Sequence, residues 1–269
     1  MTPKLDASAA WKSATTMVSA NREVLVAIAG VFFVLPALLG AVLLPKPAFT
    51  PGMDDQQMAE AILRFYGDSG PVLLLLSLPL IVGFMAMLKV MLDPARPTVG
   101  ATLMDCLRLL PSYLGAHILS TLALSFGWLI IASVLILLLP PLLAVPISVL
   151  AMTWPMSRVM LVAPEIAVRR VRNPITAIRS SIRDTRGAYL SVLLYFGPAF
   201  TLFFIAYGLV MIFVGVVLVQ TTEGETQRLL SEGVVGLLFA LGYTYFAAMI
   251  ASVWRQLAAP VEGEFSAFD

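Results

Sequence analysis

Three groups of residues have types and spacings that could do chemistry. Seven arginines crowd the stretch 158–186, and the planar guanidinium binds phosphate or carboxylate through paired hydrogen bonds. Ser69 lies in the run 67–70, Gly-Asp-Ser-Gly, and His117 follows it along the chain, so the two have the residue types of a nucleophile and its base. Small residues recur every four positions from Gly236 to Ser252, a spacing that lets another helix approach closely.

An apolar composition decides which elements must position these residues. The chain has 269 residues, of which 59% are hydrophobic and 12% charged, and its mean hydropathy is +0.93. A soluble domain is about a quarter charged, so this chain has too few charges for one. Cys106 is the one cysteine, His117 the one histidine, and the net charge is +1. We therefore expect no disulfide framework, metal, cofactor or nucleic-acid partner.

The apolar runs predict an all-α integral membrane protein with six transmembrane helices, forming one domain over 1–269. A spanning helix needs about 20 mostly apolar residues. Pro140-Pro141 divides a longer apolar run into two spans. The six predicted spans are 24–44, 71–92, 114–138, 142–163, 188–220 and 234–256.

The loop charges predict the orientation. All but three of the 17 lysines and arginines lie on one side of the predicted spans, and the exceptions are Lys46, Arg64 and Arg228. Because lysine and arginine favour cytoplasmic loops, both termini are predicted to be cytoplasmic. The first apolar run is too long and too far from the N-terminus for a secretory signal, which favours a bacterial inner membrane. An organelle membrane of bacterial descent is the alternative.

Helical periodicity also predicts three short cytoplasmic interfacial helices, one before each odd-numbered span. They begin near Ala7, at Val99 and at Asn173-Pro174. The predicted fold is therefore three hairpins, each preceded by an interfacial helix. The third has an apolar side of Ile175, Ile178 and Ile182 and a polar side of Arg179, Arg183 and Arg186. A further short helix, from Asp54 to Tyr66, is predicted on the external side.

The arginines have two interpretations. They set the topology, or they form a surface for phospholipid headgroups or an acidic partner, since each basic residue near an anionic leaflet gains about 1 kcal/mol. The candidate contacts are Arg158, Arg169, Arg170, Arg172, Arg179, Arg183 and Arg186. Arg158 is the deepest, and either snorkels to the headgroups with help from Glu165 or lines a polar cleft. Lys89 is expected to snorkel as well.

The serine and histidine are not expected to react together. The pattern of Ser69 matches that of rhomboid proteases, which are six-span enzymes with a membrane serine and a downstream histidine. The predicted topology, however, places Ser69 and His117 on opposite sides of a hydrocarbon layer roughly 30 Å thick. The run 67–70 is more simply a turn that precedes a helix starting at Pro71.

The small-residue stripe in the sixth span has two interpretations as well. Its members are Gly236, Ala240, Thr244, Ala248 and Ser252. The stripe either packs within the chain's own bundle or mediates self-association or contact with a membrane partner.

The segment "RVMLVAPEIAVRRVRNPITAIRSSIRDTRGAYLSVLL" resembles a bacterial membrane family. The family comprises the membrane domain associated with glycerophosphoryl diester phosphodiesterases and the YciC-type inner-membrane proteins. The positions that carry the likeness are Pro164, Pro174, Ala177, Ser181, Thr185 and Gly187. The resemblance implies a six-span protein without the catalytic barrel, because this chain lacks the length and the histidines for it.

These observations lead to one functional expectation and one alternative. We expect a non-enzymatic inner-membrane protein that interacts with lipid or acts as a scaffold in envelope maintenance. The alternative is a small transporter with a polar path near Arg158. A membrane enzyme ranks third, because no acid, base, nucleophile and metal set converges on one side.

Overall fold

The computed structural model describes residues 5–45, 52–95 and 98–258. Within those ranges 88% of residues are helical and no strand is present, as an all-α fold requires. Six helical stretches are long and apolar enough to cross a membrane, which confirms the predicted number of spans. Lys4, Lys46 and Arg96 lie outside the described residues, and so does the acidic tail after Pro260, which the sequence predicts to be mobile.

Ten α-helices and one π-helical segment follow one another along the described chain. The α-helices are α1 (Ala7–Ala20), α2 (Arg22–Ala29), α3 (Leu35–Leu43), α4 (Asp55–Leu92), α5 (Val99–Leu138), α6 (Pro141–Val159), α7 (Val162–Ala167), α8 (Pro174–Asp184), α9 (Tyr189–Thr221) and α10 (Gly224–Leu257). The π-helical segment, Gly30–Val34, joins α2 to α3. The six span candidates are Arg22–Leu43, α4, α5, Pro141–Ala167, α9 and α10.

Three helices are longer than predicted. The predicted external helix and the turn at 67–70 are both wrong, because α4 is continuous from Asp55 and contains Pro71 in its interior. The second interfacial helix is likewise not separate from its span, since α5 runs through Pro111. An interior proline removes one hydrogen bond, and an apolar helix in a membrane keeps its remaining backbone bonds because no water replaces them. Near the C-terminus, α10 starts at Gly224. The connection between the fifth and sixth spans, predicted to lie between 220 and 234, is therefore much shorter.

The first and third interfacial helices are separate elements. Asp6 caps α1 by accepting a hydrogen bond from the Ala9 N–H at 3.0 Å, and Asn21 divides α1 from α2. On the other side of α8, Gly187 adopts a left-handed conformation with φ of 84°, which glycine tolerates without strain. Residues that end a helix therefore separate α1 and α8 from the spans that follow them. No such residue follows Leu110, so the second interfacial helix continues into its span.

The residues group into two compact units. Unit 1 comprises Met1–Arg22, Met85–Leu202 and Tyr245–Asp269, and unit 2 comprises Glu23–Phe84 and Phe203–Thr244. In unit 1, α5 packs along α6, and α8 packs on α5, α6 and α7. The turn between α5 and α6 falls at Leu139 and Pro140, where the sequence predicted a reversal. The grouping of all six spans as three hairpins stays a prediction.

Unit 2 is held together by close approaches at small residues. A Cβ atom added to Gly83 would lie 2.5 Å from the Phe32 Cβ, and one added to Gly236 would lie 3.0 Å from the Ala37 Cβ. Glycine at these positions lets two helix backbones approach where a larger side chain would separate them. The five members of the small-residue stripe, which continues into unit 1, are all buried. The chain itself therefore covers the stripe, as packing within its own bundle requires.

Candidate functional site

Helix α8 carries two of the seven arginines that the sequence singled out, Arg179 and Arg183, and its ends are well defined. The Asn173 side chain accepts hydrogen bonds from the backbone N–H groups of Ile175 and Thr176 at 2.9 and 3.4 Å. Pro174 follows at the first helical position, where its missing N–H costs nothing. Asparagine followed by proline is a strong start signal, and α8 begins where it predicts.

A small buried face attaches α8 to the rest of unit 1. Ala177 and Ser181 are fully buried. The Ser181 Oγ donates to the Arg158 carbonyl at 2.7 Å and accepts from the Leu161 N–H at 3.1 Å. These backbone groups lie where α6 gives way to α7, so one hydroxyl satisfies both sides of the break. Four of the positions that carry the family resemblance therefore have structural roles around α8. They are Ala177, Ser181, Thr185 and Gly187.

The opposite face of α8 is exposed and mixes isoleucine with arginine. Ile175 and Ile182 are 51% and 44% exposed, and Arg179 lies between them in sequence and is exposed too. Residues at i, i+4 and i+7 share one face of a helix, so these three form one stripe. We call Ile175, Arg179 and Ile182, with the flanking Arg172 and Arg186, the exposed face of α8.

Glu165 lies at the centre of a buried ionic cluster that sequence reasoning missed. Its side chain is fully buried and accepts hydrogen bonds from Arg169 at 3.0 Å and from the Trp254 indole N–H at 2.8 Å. Arg169 also contacts Asp184 at 3.4 Å, donates to the Ala258 carbonyl and stacks on the Trp254 ring. We call Glu165, Arg169, Asp184 and Trp254 the Glu165 cluster.

A second ionic cluster surrounds Lys89. The Lys89 side chain is fully buried, and its Nζ lies 2.5 Å from the Asp105 carboxylate and 4.0 Å from that of Asp93. Arg170 reaches the same Asp105 oxygen at 2.7 Å. The expectation that Lys89 snorkels to the headgroups is therefore wrong. A carboxylate inside the protein is the nearer partner and compensates for burial of the ammonium group.

The seven candidate arginines thus divide into different environments. Arg169, Arg170 and Arg183 are paired with carboxylates, and the hydrogen bond and charge of Asp184 raise the pKa of the Arg183 guanidinium. Arg172, Arg179 and Arg186 are exposed, and among the described residues none of the three has an ion-pair partner. The number of arginines in the segment therefore overstates the charge available to a ligand.

Arg158 occupies a different position from the one expected. Its guanidinium lies over the ring of Trp154, 5.2 Å from the centroid, and the Trp154 side chain is 52% exposed. Glu165 does not assist it, because that carboxylate is engaged by Arg169 and Trp254. A cation on an aromatic face is attracted by the ring quadrupole, and Arg158 has that partner instead.

Neither Ser69 nor His117 has the surroundings of a catalytic group. Ser69 is buried within α4, and its Oγ has no hydrogen-bond partner. His117 is exposed on α5 and stacks on Tyr113, with the ring centroids 5.9 Å apart. Within the described residues no group of three histidine, cysteine, aspartate or glutamate side chains is placed to hold a metal ion.

The missed residues had one usable signal. Lys89 and Glu165 are single charges in otherwise apolar helical stretches, and ionisable residues in such positions are partnered or functional by default. Which of the nearby carboxylates or cations is the partner depends on packing between α4, α5, α7 and α10. Sequence spacing does not report that packing.

The six apolar helices fit an integral, multi-pass membrane protein. Comparisons with protein-family models, with curated proteins and with solved structures found no match. The family suggested by the segment around α8 accordingly stays a prediction.

Proposed function

We propose that this chain is a non-enzymatic protein of the bacterial inner membrane that binds anionic phospholipid through the exposed face of α8. In this role it would act as a lipid-interacting or scaffolding factor in envelope maintenance. The observation that carries the proposal is the stripe of exposed Ile175, Arg179 and Ile182 on a short helix, flanked by exposed Arg172 and Arg186. Among the described residues none of these three arginines has a carboxylate partner.

The side-chain chemistry of that face supports lipid as the ligand. Ile175 and Ile182 offer apolar surface that gains free energy among acyl chains. Arg172, Arg179 and Arg186 can then bind phosphate groups bidentately. An acidic protein partner would satisfy the arginines but leave the isoleucines without a reason to be exposed. A helix of this kind lies in the membrane interface with its apolar residues towards the acyl chains.

The charge balance sets the expected strength. Three unpaired cations near an anionic leaflet contribute about 1 kcal/mol each, which amounts to roughly a hundredfold in affinity at low salt. Arg169 and Arg170 add little, because the carboxylates beside them already neutralise their charge. The effect should weaken as salt is raised, since the arginines are exposed to screening.

The first prediction uses the full-length protein purified in detergent. The variant Arg172→Gln/Arg179→Gln/Arg186→Gln should bind phosphatidylglycerol at least tenfold more weakly than the parent, measured by native mass spectrometry over a lipid titration. The control Lys12→Gln/Arg22→Gln/Arg108→Gln removes the same charge from exposed positions outside α8, and should stay within about twofold of the parent. Equal binding by the α8 variant and the parent would refute the proposal.

The transporter alternative receives no support near Arg158. That side chain stacks on an exposed tryptophan, and its backbone carbonyl is engaged by Ser181. The apolar cleft of unit 2, which Phe33 and Arg228 line, does not include Arg158. Arg158 is therefore left out of the proposed lipid-binding face.

A further inference from the structure

Unit 2 contains an apolar cleft of about 420 Å³, a volume within the usual range for small-molecule sites of about 300–1,000 Å³. Residues of the first, second and sixth span candidates line it. Its walls are mainly aliphatic and aromatic and include Phe33, Leu76, Leu80 and Phe239. The same cleft is lined by two oppositely charged side chains, Arg228 and Glu232.

The cleft is elongated along the helices. Phe33 and Leu44 both line it and are eleven positions apart in the first span, which corresponds to roughly 16 Å at about 1.5 Å per residue. Leu44 and Pro45 follow the end of that span, close in sequence to its polar loop, whereas Phe33 lies deeper. The shape therefore suits an extended acyl chain with its polar end near Leu44.

Arg228 has an unsatisfied donor at that polar end. Its Nη2 donates to the Leu44 carbonyl at 3.0 Å, and its Nε is buried without a hydrogen-bond partner. A buried N–H of a charged group that lacks an acceptor is costly, and native structures rarely keep one without a reason. Because Arg228 lines the cleft, a phosphate that binds there can supply this guanidinium with an acceptor.

Glu232 provides the opposite charge one helical turn further along α10. Residues at i and i+4 commonly form an ion pair, yet these two described side chains have no N–O contact within 4.0 Å. Both charges thus line one cleft without forming an ion pair with each other. A ligand that carries an anion and a cation close together complements this arrangement.

The wall of the cleft includes an irregular helical turn. Between Gly30 and Val34 the helix is π-helical, and the Leu35 N–H donates to the Gly30 carbonyl instead of the carbonyl four residues back. Pro36 follows, and its ring nitrogen has no hydrogen to donate. A π-helical turn inside a helix is rare and occurs often at binding sites. Here it carries Phe33, one of the lining residues.

We infer that the cleft binds one glycerophospholipid with a zwitterionic phosphoethanolamine headgroup. One acyl chain lies along Phe33, Leu76 and Leu80, the phosphate binds Arg228, and the ammonium group binds Glu232. This site belongs to unit 2 and is independent of the exposed face of α8, which is in unit 1 and recognises negative charge alone. The two proposals can therefore fail separately.

The second prediction tests this lipid by native mass spectrometry of the full-length protein in detergent. Phosphatidylethanolamine, phosphatidylglycerol and phosphatidylcholine with identical acyl chains are the probes, and free phosphoethanolamine is the competitor. The Arg172/Arg179/Arg186 glutamine variant serves as the background, so that α8 does not contribute. We expect phosphatidylethanolamine to bind at least fivefold more tightly than the other two, because only its headgroup offers both a phosphate and an N–H donor. Free phosphoethanolamine should not compete, because it lacks the acyl chain.

Substitutions assign the preference to the two charges. Arg228→Gln should weaken phosphatidylethanolamine binding about tenfold, and Glu232→Gln should abolish the preference over phosphatidylglycerol. Gly40→Leu fills the cleft and should therefore reduce binding of every lipid. The variant should still fold, because a Cβ at this position has only ordinary contacts with Leu44 and Leu76 at 3.6 Å. The control is Arg64→Gln, because the Arg64 side chain is 80% exposed and pairs only weakly with Glu60.

Each outcome bears on the inference. Unchanged phosphatidylethanolamine binding in Arg228→Gln would overturn the inference. Equal binding of the three lipids to the Arg172/Arg179/Arg186 glutamine background would overturn it too, and so would competition by free phosphoethanolamine. If a variant elutes as aggregate, photocrosslinking of the background protein by a phosphatidylethanolamine with a reactive acyl chain decides instead. Labelled peptides containing Phe33 or Leu80 would support the site, and labelling confined to other segments would contradict it.

Discussion

Two neighbouring stretches of unit 1 use the same residue type for different purposes. Between Glu165 and Arg170, two arginines form ion pairs, Arg169 with the buried Glu165 and Arg170 with the partly exposed Asp105. Between Arg172 and Arg186, three arginines remain exposed and without ion-pair partners among the described residues. The first stretch lies in and after α7, whose residues are all buried, whereas the second surrounds α8, of which only Ala177 and Ser181 are buried.

Local packing separates the arginines that are engaged inside the protein from those whose charge is available to a ligand. An arginine beside a buried carboxylate compensates for the desolvation of that carboxylate, and removing either partner leaves the other uncompensated. An exposed arginine without a partner contributes little to folding and keeps its charge for a ligand. Substitutions in the first stretch should therefore mainly lower stability. Substitutions in the second stretch should mainly weaken lipid binding.

The largest expected effect is on the Glu165 cluster. Glu165→Ala removes the acceptor of both Arg169 and the Trp254 indole, and should destabilise the protein by about 3 kcal/mol. Arg169 is 30% exposed and keeps Asp184, so the loss should fall at the lower end for a buried pair. The measurement is unfolding in mixed micelles of mild detergent and dodecyl sulfate. Glu165→Gln retains an acceptor for Trp254 and should cost less; an Ala variant as stable as the parent would contradict the structural role.

An intermediate effect is expected at the Lys89 cluster. Lys89→Met removes the buried ammonium group but leaves Arg170 beside Asp105, so we expect a loss of about 1–2 kcal/mol. In the double variant Lys89→Met/Asp105→Asn the two losses should not add, because the residues are in direct contact. The same unfolding assay measures the coupling. Full additivity would mean that the 2.5 Å contact contributes nothing to folding.

The smallest effect on stability is expected on the exposed face of α8. Arg172→Gln/Arg179→Gln/Arg186→Gln should change the free energy of unfolding by less than about 0.5 kcal/mol, as exposed substitutions usually do, although the proposed function predicts that it weakens lipid binding strongly. The assay is run without added phosphatidylglycerol, because a bound lipid would itself stabilise the folded state. A loss comparable with that of Glu165→Ala would erase the distinction between the two stretches.

Much of the fold could be predicted because hydrophobic length is a local property. The number of spans, the reversal at Pro140 and the start of α8 at Asn173-Pro174 agree with the structure. The predictions failed where they placed a helix boundary at a proline that does not end the helix. Pro71 and Pro111 lie inside continuous helices, whereas Gly187 with its positive φ does separate two elements.

The candidate site was predictable only in part. The sequence identified the arginine-rich segment and the period of α8, and it placed Ile175 and Ile182 on one side of the helix. It assigned Arg179 to a separate polar side, whereas in the structure Arg179 shares the exposed stripe of the two isoleucines. It did not distinguish Arg169 from Arg179, since the partner that neutralises Arg169 is shared with Trp254, far along the chain. It also assigned no role to Arg228 beyond that of an external charge.

By itself, the sequence determined that this protein is helical and has six helices long and apolar enough to cross a membrane, because runs of about 20 apolar residues have few other stable environments. Only the tertiary structure decided which charges are available. Lys89, Glu165 and Arg169 become internal partners because distant helices bring opposite charges within hydrogen-bonding distance. Arg179 and Arg228 keep unmet binding capacity because no such group reaches them. Electrostatic pairing depends on distance in space, and sequence separation does not determine that distance.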